Sequence, residues 1–383
     1  MDEISFSRRF IIPCLIVLLQ SLFMWAVLTY ITIYWIDHGF SHLQVGILVS
    51  IFPLTSLVLM IPFGMYVDRI SPKKLVIISL LIFSLAPAGL IIWHDFWSTA
   101  ALLGVGGIGA TLFSNALPAL YYKVLGNKSR GFKLGVLNAA TLIGYGLGPL
   151  IAGSLLSFWD MNAVFILALS GLPPMLVLCS FLPDVPGTRV QITDYKADIS
   201  NKSVLVFIVL VFAFSLHAGA EQSSFSLFLN KDIGLGKDMV GLIYFIHATF
   251  MAICSVINGV IGDRFHARGR GLSTLLYTGI AISGLTNVLL FSAFNFGSVL
   301  AIRLTHAVGD SLSLAIRSLI ISNMFVSSRM GGNLGTITAT ITLATLIGSI
   351  ISGAVPGYVT GFVICGAIAL LSIPVALAAK PEL

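Results

Sequence analysis

Apolar residues in this chain fall into blocks of about twenty to thirty, each closed by a short polar or turn-forming break. A helix needs ~20 consecutive apolar residues to cross the hydrocarbon layer of a bilayer. Blocks of that size occupy about 10–36, 43–67, 74–93, 97–122, 133–158, 162–182, 203–229, 239–262, 271–293, 297–325, 333–356 and 358–379. All twelve are predicted to be helices, because a helix satisfies every backbone N–H and C=O inside its own segment. The breaks hold chain-turning residues: Ser71-Pro72-Lys73-Lys74, Gly126-Asn127-Lys128, Asp184-Val185-Pro186-Gly187 and Arg268-Gly269-Arg270. The longest polar stretch follows the sixth block. It predicts a cytoplasmic linker at 183–202 between a six-helix bundle at 1–182 and a second at 203–383.

Composition supports the same class. Of 383 residues 57% are apolar and only 9% charged, with a mean hydropathy of +1.01. Soluble domains carry roughly 25% charge, so this chain cannot cover a water-facing surface. That excludes a water-soluble enzyme, a disordered chain and, despite a formal charge of +6, a nucleic-acid-binding domain. The basic residues report orientation instead. With the N-terminus inside, seventeen of the 21 lysines and arginines fall on the inner side, Lys231 and Lys237 fall outside, and Arg303 and Arg317 lie within a span. Lys and Arg gather in cytoplasmic loops, so both termini are expected in the cytoplasm, in the plasma membrane of a prokaryote, with the basic loops against anionic lipid. The first block is too long for a signal-peptide core and reads as a retained span. Cys14, Cys179, Cys254 and Cys365 all lie in apolar blocks, at spacings that suit neither zinc nor a disulfide framework. No metal or cofactor is expected.

The two halves echo one another. Gly64-x-x-x-Asp68-Arg69 closes span two, and Gly259-x-x-x-Asp263-Arg264 closes span eight, 195 residues later. Gly109 and Gly309, in spans four and ten, are 200 apart, as are Leu134-Gly135 and Leu334-Gly335. Ala140-Thr141-Leu142-Ile143-Gly144 recurs 204 residues on as Ala344-Thr345-Leu346-Ile347-Gly348. Matches at a nearly constant offset indicate a duplicated unit, hence an all-α polytopic membrane protein with twelve transmembrane helices in two pseudo-symmetric bundles. Such duplication is the architecture of alternating-access carriers, whose site lies at the repeat interface near mid-membrane.

At this point the chain resembles the major facilitator superfamily. The run from Gly64 through Asp68 and Arg69 to Lys73-Lys74 is similar to that superfamily's signature between spans two and three, with Ser71 and Pro72 where glycine and a basic residue are usual. Arg303-x-x-His306-Ala307-x-Gly309 resembles its span-four arginine motif but stands in span ten, and Leu103 occupies the corresponding span-four place. Gly144-x-Gly146-x-Gly148-Pro149-x-x-Ala152-Gly153 resembles the span-five motif associated with antiporters, with Ala152 replacing a glycine. The resemblance implies a gate, in which an aspartate at a cytoplasmic helix end faces a helix N-terminus of the other half and nearby arginines. Gly64, Asp68, Arg69, Gly259, Asp263 and Arg264 are the expected gate residues, with the start of span eleven and Arg130 as partners of Asp68. A carboxylate at a helix N-terminus gains ~0.3–1 kcal/mol when exposed and up to ~2 kcal/mol when partly buried. Gly144, Gly148 and Gly153, with Pro149 at a bend, are expected to let helices approach closely.

Ionisable side chains at bilayer depth are costly and mark function, and here they lie in the second half. At about 100° per residue along span ten, His306, Asp310 and Arg317 lie at about 300°, 340° and 320° from Arg303. One stripe therefore carries all four, with Asp310 between two arginines. It reads as a structural ion pair, as a proton carrier at Asp310, or as a substrate anchor at Arg303 or Arg317, whose forked donors suit carboxylate or phosphate. Span seven places His217 and Glu221 four apart on one face, and span eight adds Tyr244 and His247. Carboxyl and imidazole groups withdrawn from water can load and release protons near neutral pH. Glu221, Asp310, His217 and His306 are therefore the expected proton-coupling residues. Substrate contact is expected from Arg303, Arg317, His247 and Tyr244. In the first half, which has no central charge, it is expected from Gln20, Asn115, Asn138 and Tyr145.

The sequence has no Walker-type loop, so ATP is not the expected energy source. An intramembrane aspartyl protease would need a second aspartate beside Asp310, and no HExxH string serves a metalloprotease. The expectation is a monomeric, proton-coupled secondary carrier that moves a small organic molecule by alternating access, as an exporting antiporter. Proton-linked symport of a small organic anion held by an arginine stays open, as does an uncoupled facilitator.

Overall fold

The computed structural model describes residues 7–126, 128–269, 271–379 and 381. Arg270 and Lys380, both counted on the inner side above, lie outside the described residues. Among the described residues there is no strand, and twelve helices are long and apolar enough to cross a membrane. They are α1 Arg9–Asp37, α2 Gln44–Arg69, α3 Pro72–Leu90, α4 Phe96–Val124, α5 Arg130–Leu156, α6 Met161–Ser180, α7 Lys202–Phe225, α8 Met239–Ala267, α9 Ser273–Ser292, α10 Phe296–Met324, α11 Ser327–Ala354 and α12 Thr360–Ala379. Each predicted block is one of these helices, with its ends moved by a turn or two. Polar caps start several of them at the sequence breaks, satisfying backbone N–H groups that have no partner within the helix. Ser41 and Gln44 cap α2 reciprocally at 3.3 and 2.9 Å, and Asn295 accepts from the Ser298 N–H at 2.9 Å before α10. Asp95 caps α4 at 3.0 Å, and its hydrogen bonds with Ser98 hold its carboxyl below the usual range.

The chain forms two compact units, and they do not divide at the linker alone. The first holds the described residues of 1–126, 140–192 and 326–339, and the second those of 127–139, 193–325 and 340–383. The opening turns of α11 thus belong to the first unit and those of α5 to the second. The first half of the predicted linker, 183–192, also belongs to the first unit, and the second half to the second. Lys73 donates to the Ser180 and Leu182 carbonyls at 2.7 and 2.9 Å, and the Thr188 N–H donates to the Asp68 carbonyl at 2.8 Å. Residues Ile192–Ile199 form a short helix rather than an open tether.

The repeated Ala-Thr-Leu-Ile-Gly segment makes equivalent crossings in the two units. In the first, a Cβ on Gly144 or Gly148 would strike the carbonyl of Leu18 or Leu22 in α1, and Ser21 donates to the Thr141 carbonyl at 2.9 Å. Gly153 faces the Tyr30 hydroxyl, which donates to the Pro149 carbonyl at 3.1 Å. In the second, a Cβ on Gly348 would strike the Leu216 carbonyl of α7, and Ser349 donates to the Gly219 carbonyl at 2.9 Å. Apolar helices gain nothing from hydrophobicity against lipid, so such backbone-close crossings supply much of their packing. Gly348→Val should therefore cost about 1–3 kcal/mol of stability by overpacking. Gly353→Ala, in the same helix with nothing within 4 Å, should unfold with the wild type. Thermal unfolding of the detergent-purified variants checks this, and equal midpoints for the two would contradict it.

Candidate functional site

The chemistry of the second unit gathers where α7, α8, α9 and α10 meet. Gly279 of α9 and Gly309 of α10 set the spacing, since a Cβ on either would meet the other's carbonyl oxygen at 2.9 or 2.8 Å. That approach places Ser283 and Thr286 of α9 against His306 and Asp310 of α10. Helix α7 contributes His217 from its regular part and Glu221 from the first residue of a π-helical turn, Glu221–Phe225. Turns of this kind often occur at functional sites.

Arg303, 2% exposed, pairs its guanidinium with the Glu221 carboxylate. It also donates to His247 Nε2 at 3.1 Å and lies over the Phe225 ring at 4.5 Å. Tyr244 packs edge-on against the same ring at 5.5 Å. His306 is buried, with Nε2 3.0 Å from Glu221 Oε1 and 3.2 Å from Asp310 Oδ2. Asp310 accepts from the Ser283 hydroxyl at 2.6 Å and stands 3.4 Å from His217 Nε2. The network holds two carboxylates and one guanidinium, so with neutral imidazoles its net charge is minus one. An uncompensated buried charge is strongly destabilising, and one added proton makes the cluster neutral. One ring nitrogen of His217, one of His306 and an Asp310 oxygen lie within 4.8 Å of one another, so these residues could also hold a metal ion. A divalent ion would carry the net charge past zero to plus one.

Several expectations change here. Asp310 does not sit between arginines: its partners are two histidines and a serine, because Glu221 faces Arg303 from α7 and takes its guanidinium. Arg317 is half-buried about 10 Å further along the helix from Asp310. Gln20 and Tyr145 lie in the first unit, where Gln20 donates to Met24 Sδ at 3.6 Å and Tyr145 packs edge-on against Trp25 at 4.6 Å. Asn115, also in the first unit, donates to the Thr111 carbonyl at 3.0 Å and to Met60 Sδ at 2.8 Å. Asn138 belongs to the second unit and faces the Ser318 hydroxyl at 3.4 Å, about two turns beyond Asp310.

The two repeated aspartates make the same contact, one in each unit. Asp68, fully buried, accepts the N–H groups of Gly331 and Gly332 at 2.9 and 2.8 Å. Asp263 accepts those of Gly131 and Phe132 at 2.7 and 2.9 Å. Both pairs of N–H groups open a helix, where the dipole favours a carboxylate. Glycine is required on both sides, since a Cβ on Gly64 or Gly331, or on Gly259 or Gly131, would run into the facing carbonyl. Lys123 of α4 pairs with Asp68 at 2.8 Å. Arg130 opens α5 in the second unit and donates to the Ser322 carbonyl at 3.1 Å. Arg69 reaches the Val190 carbonyl at 3.3 Å and so ties down the linker. Arg264 is exposed and makes no ion pair among the described residues.

The sequence profile of the Major Facilitator Superfamily matches residues 14–229 and 204–382. The chain belongs to the Major Facilitator Superfamily. It is 25% identical over 282 residues to Multidrug resistance protein 1 of Bacillus subtilis (strain 168), across 71% of this chain and 70% of that protein. It is 22% identical over 320 residues to a multi-drug resistance efflux pump PmrA homolog of Lactococcus lactis subsp. lactis (strain IL1403), across 79% and 78%. The crystal structure of the human organic anion transporter MFSD10 (TETRAN) shares the fold with a TM-score of 0.83 at 15% identity, covering 98% of this chain and 100% of that one. As a member of the Major Facilitator Superfamily, the protein is a multi-pass membrane transporter of a small molecule and not an enzyme.

The pairing of Arg303 with Glu221 is open to a direct check. Removing one partner of a buried pair costs about 3–5 kcal/mol. The Glu221 side chain keeps 21% exposure, so Arg303→Gln is expected at the lower end, about 3 kcal/mol. Combining it with Glu221→Gln should recover part of that loss. Unfolding measurements on the two single variants and the double variant test this, and strictly additive losses would contradict a direct pair.

Proposed function

We propose that this transporter exports a lipophilic organic cation in exchange for protons, by alternating access of the halves 1–182 and 203–383 joined through 183–202. The observation that carries this reading is the charge of the cluster, in which the one guanidinium, Arg303, pairs with Glu221 while the second carboxylate, Asp310, faces the imidazoles of His217 and His306. A cluster short of one positive charge takes up either a proton or a cation. Taking both would leave an uncompensated positive charge in the bundle. Mutual exclusion at one site is the thermodynamic content of antiport. Glu221 and Asp310 keep side-chain exposures of 21% and 12%, against 3% for Arg303 and 1% for His306, so the acids are the parts a proton or cation can reach. His217 and His306 hold the proton, while His247 and Tyr244 border the place a cation takes.

Arg303 is engaged by both Glu221 and His247, which argues against anchoring of an organic anion there. The names of the bacterial relatives, multidrug resistance and efflux, support export. In this reading the protein sits in a prokaryotic plasma membrane with both termini in the cytoplasm. The Asp68 and Asp263 contacts are then cytoplasmic latches that release during each cycle. Each hydrogen bond to a charged group contributes about 1.5–3 kcal/mol, so two per latch is a barrier of useful size without being permanent.

Proteoliposomes with an imposed pH gradient test the reading. The wild type should move tetraphenylphosphonium uphill with counterflow of protons. Glu221→Gln and Asp310→Asn should each reduce uphill movement at least roughly tenfold, the loss of about 1.4 kcal/mol of coupling. Uphill transport retained in both variants would refute the coupling site, and downhill movement alone in the wild type would make the protein a facilitator.

A further inference from the structure

We propose that His217 of α7 and His306 and Asp310 of α10 form a binding site for a divalent transition-metal ion of the zinc class. Asp310 Oδ2 lies 3.4 Å from His217 Nε2 and 3.2 Å from His306 Nε2. Zinc holds imidazole nitrogen and carboxylate oxygen at about 2.0–2.2 Å, so two ligands at corners of its tetrahedron stand about 3.4 Å apart. Two edges of such a tetrahedron are therefore already at length. The third edge, between the imidazoles, spans no more than 4.8 Å. A modest turn of the two rings, which stand at 87° to one another, closes it.

An orphaned atom points to the same ligand. His306 is 1% exposed, and its Nε2 makes no hydrogen bond, because it lies near Glu221 Oε1 and Asp310 Oδ2 without being aligned on either. Buried polar atoms are nearly always paired, and a metal ion gives this nitrogen the partner that neither carboxylate provides. The outer contacts are those that hold metal ligands in place. His217 rests its Nδ1 on the Phe214 carbonyl, which can only accept, and so presents Nε2 as the ligating nitrogen. Asp310 accepts the Ser283 hydroxyl on Oδ1 at 2.6 Å and keeps Oδ2 for the ion. Thr286 stands at the other ring nitrogen of His306, 3.0 Å from Nδ1.

The donor set selects the ion. Imidazole suits zinc, nickel and their neighbours, whereas magnesium and calcium take six or more ligands, nearly all oxygen. Three protein ligands leave the fourth corner open, and the Asp310 side chain keeps 12% exposure on the path of entry. A divalent ion brings the cluster from minus one to plus one. A small anion such as chloride at the fourth corner returns it to zero, which a buried site favours. An ion held here occupies Asp310, the acid left over for an organic cation. Zinc and tetraphenylphosphonium should therefore exclude one another, a consequence that rests on the exchange reading above.

Metal titration of the purified full chain, first treated with EDTA, tests the site. Calorimetry with zinc chloride in a non-chelating buffer should show one ion bound per protein, undisturbed by equal magnesium or calcium. Asp310→Asn and His217→Gln should each weaken binding at least about tenfold. His38 and His94, exposed in the first unit with rings 6.0 Å apart, are a surface pair that can also attract zinc, and His94→Gln should leave the affinity unchanged. Cobalt added to the wild type should give the strong visible absorption of a four-coordinate ion, a readout that needs no variant to fold. Absence of binding, equal binding by Asp310→Asn, loss of binding in His94→Gln, or the weak absorption of six-coordinate cobalt overturns the inference. In proteoliposomes, zinc should stop uphill movement of tetraphenylphosphonium, and undiminished movement at saturating zinc would overturn the shared site. Failure of the functional reading looks different: the wild type would then move no tetraphenylphosphonium uphill even without zinc, while calorimetry and the cobalt spectrum still decide the metal site.

Discussion

Two mostly buried carboxylates are set against one guanidinium, which pairs with only one of them, and the arrangement of the second unit's cluster follows from that mismatch. Arg303 pairs with Glu221, donates to His247 and lies over the Phe225 ring. Asp310 is left with imidazoles and a serine hydroxyl, which stabilise a carboxylate fully only if one of them carries a proton. The close crossing of α9 and α10 is part of the same arrangement. Without Gly279 and Gly309 the hydroxyls of Ser283 and Thr286 would not reach His306 and Asp310. A low-dielectric surrounding makes each of these contacts stronger and makes their absence more costly.

The duplication supplies the frame but not the charge. Both units contain a glycine pair in backbone contact beside an aspartate that caps a helix. Both contain the glycine crossing of the repeated Ala-Thr-Leu-Ile-Gly segment. Yet the places in α4 that correspond to Arg303, His306 and Asp310 hold Leu103, Gly106 and Ala110. The repeat thus conveys mechanical parts to both units, while the cluster of Glu221, Arg303, His306 and Asp310 belongs to the second.

Much of this was legible in the sequence. The twelve spans follow from block length, and the stripe of Arg303, His306 and Asp310 follows from helical period. The pairing did not. Which acid takes Arg303 depends on the π-helical turn at Glu221 and on the rotation of α7 against α10, and neither shows in residue spacing. Lys123 looked like one more topological charge at a helix end until the structure set it on Asp68. Thr286 gave no signal, because a hydroxyl bonded to its own helix is the ordinary state of a membrane threonine; only the His306 ring beside it reveals its second contact.

The claim on which the rest depends is that the cluster holds one exchangeable positive charge. Adding tetraphenylphosphonium to purified protein in weakly buffered detergent solution near pH 7, with a pH indicator dye present, measures it directly. The account predicts release of about one proton per protein on binding, in keeping with a single missing charge, and none from Asp310→Asn. Saturable binding of the cation with no proton released would contradict it.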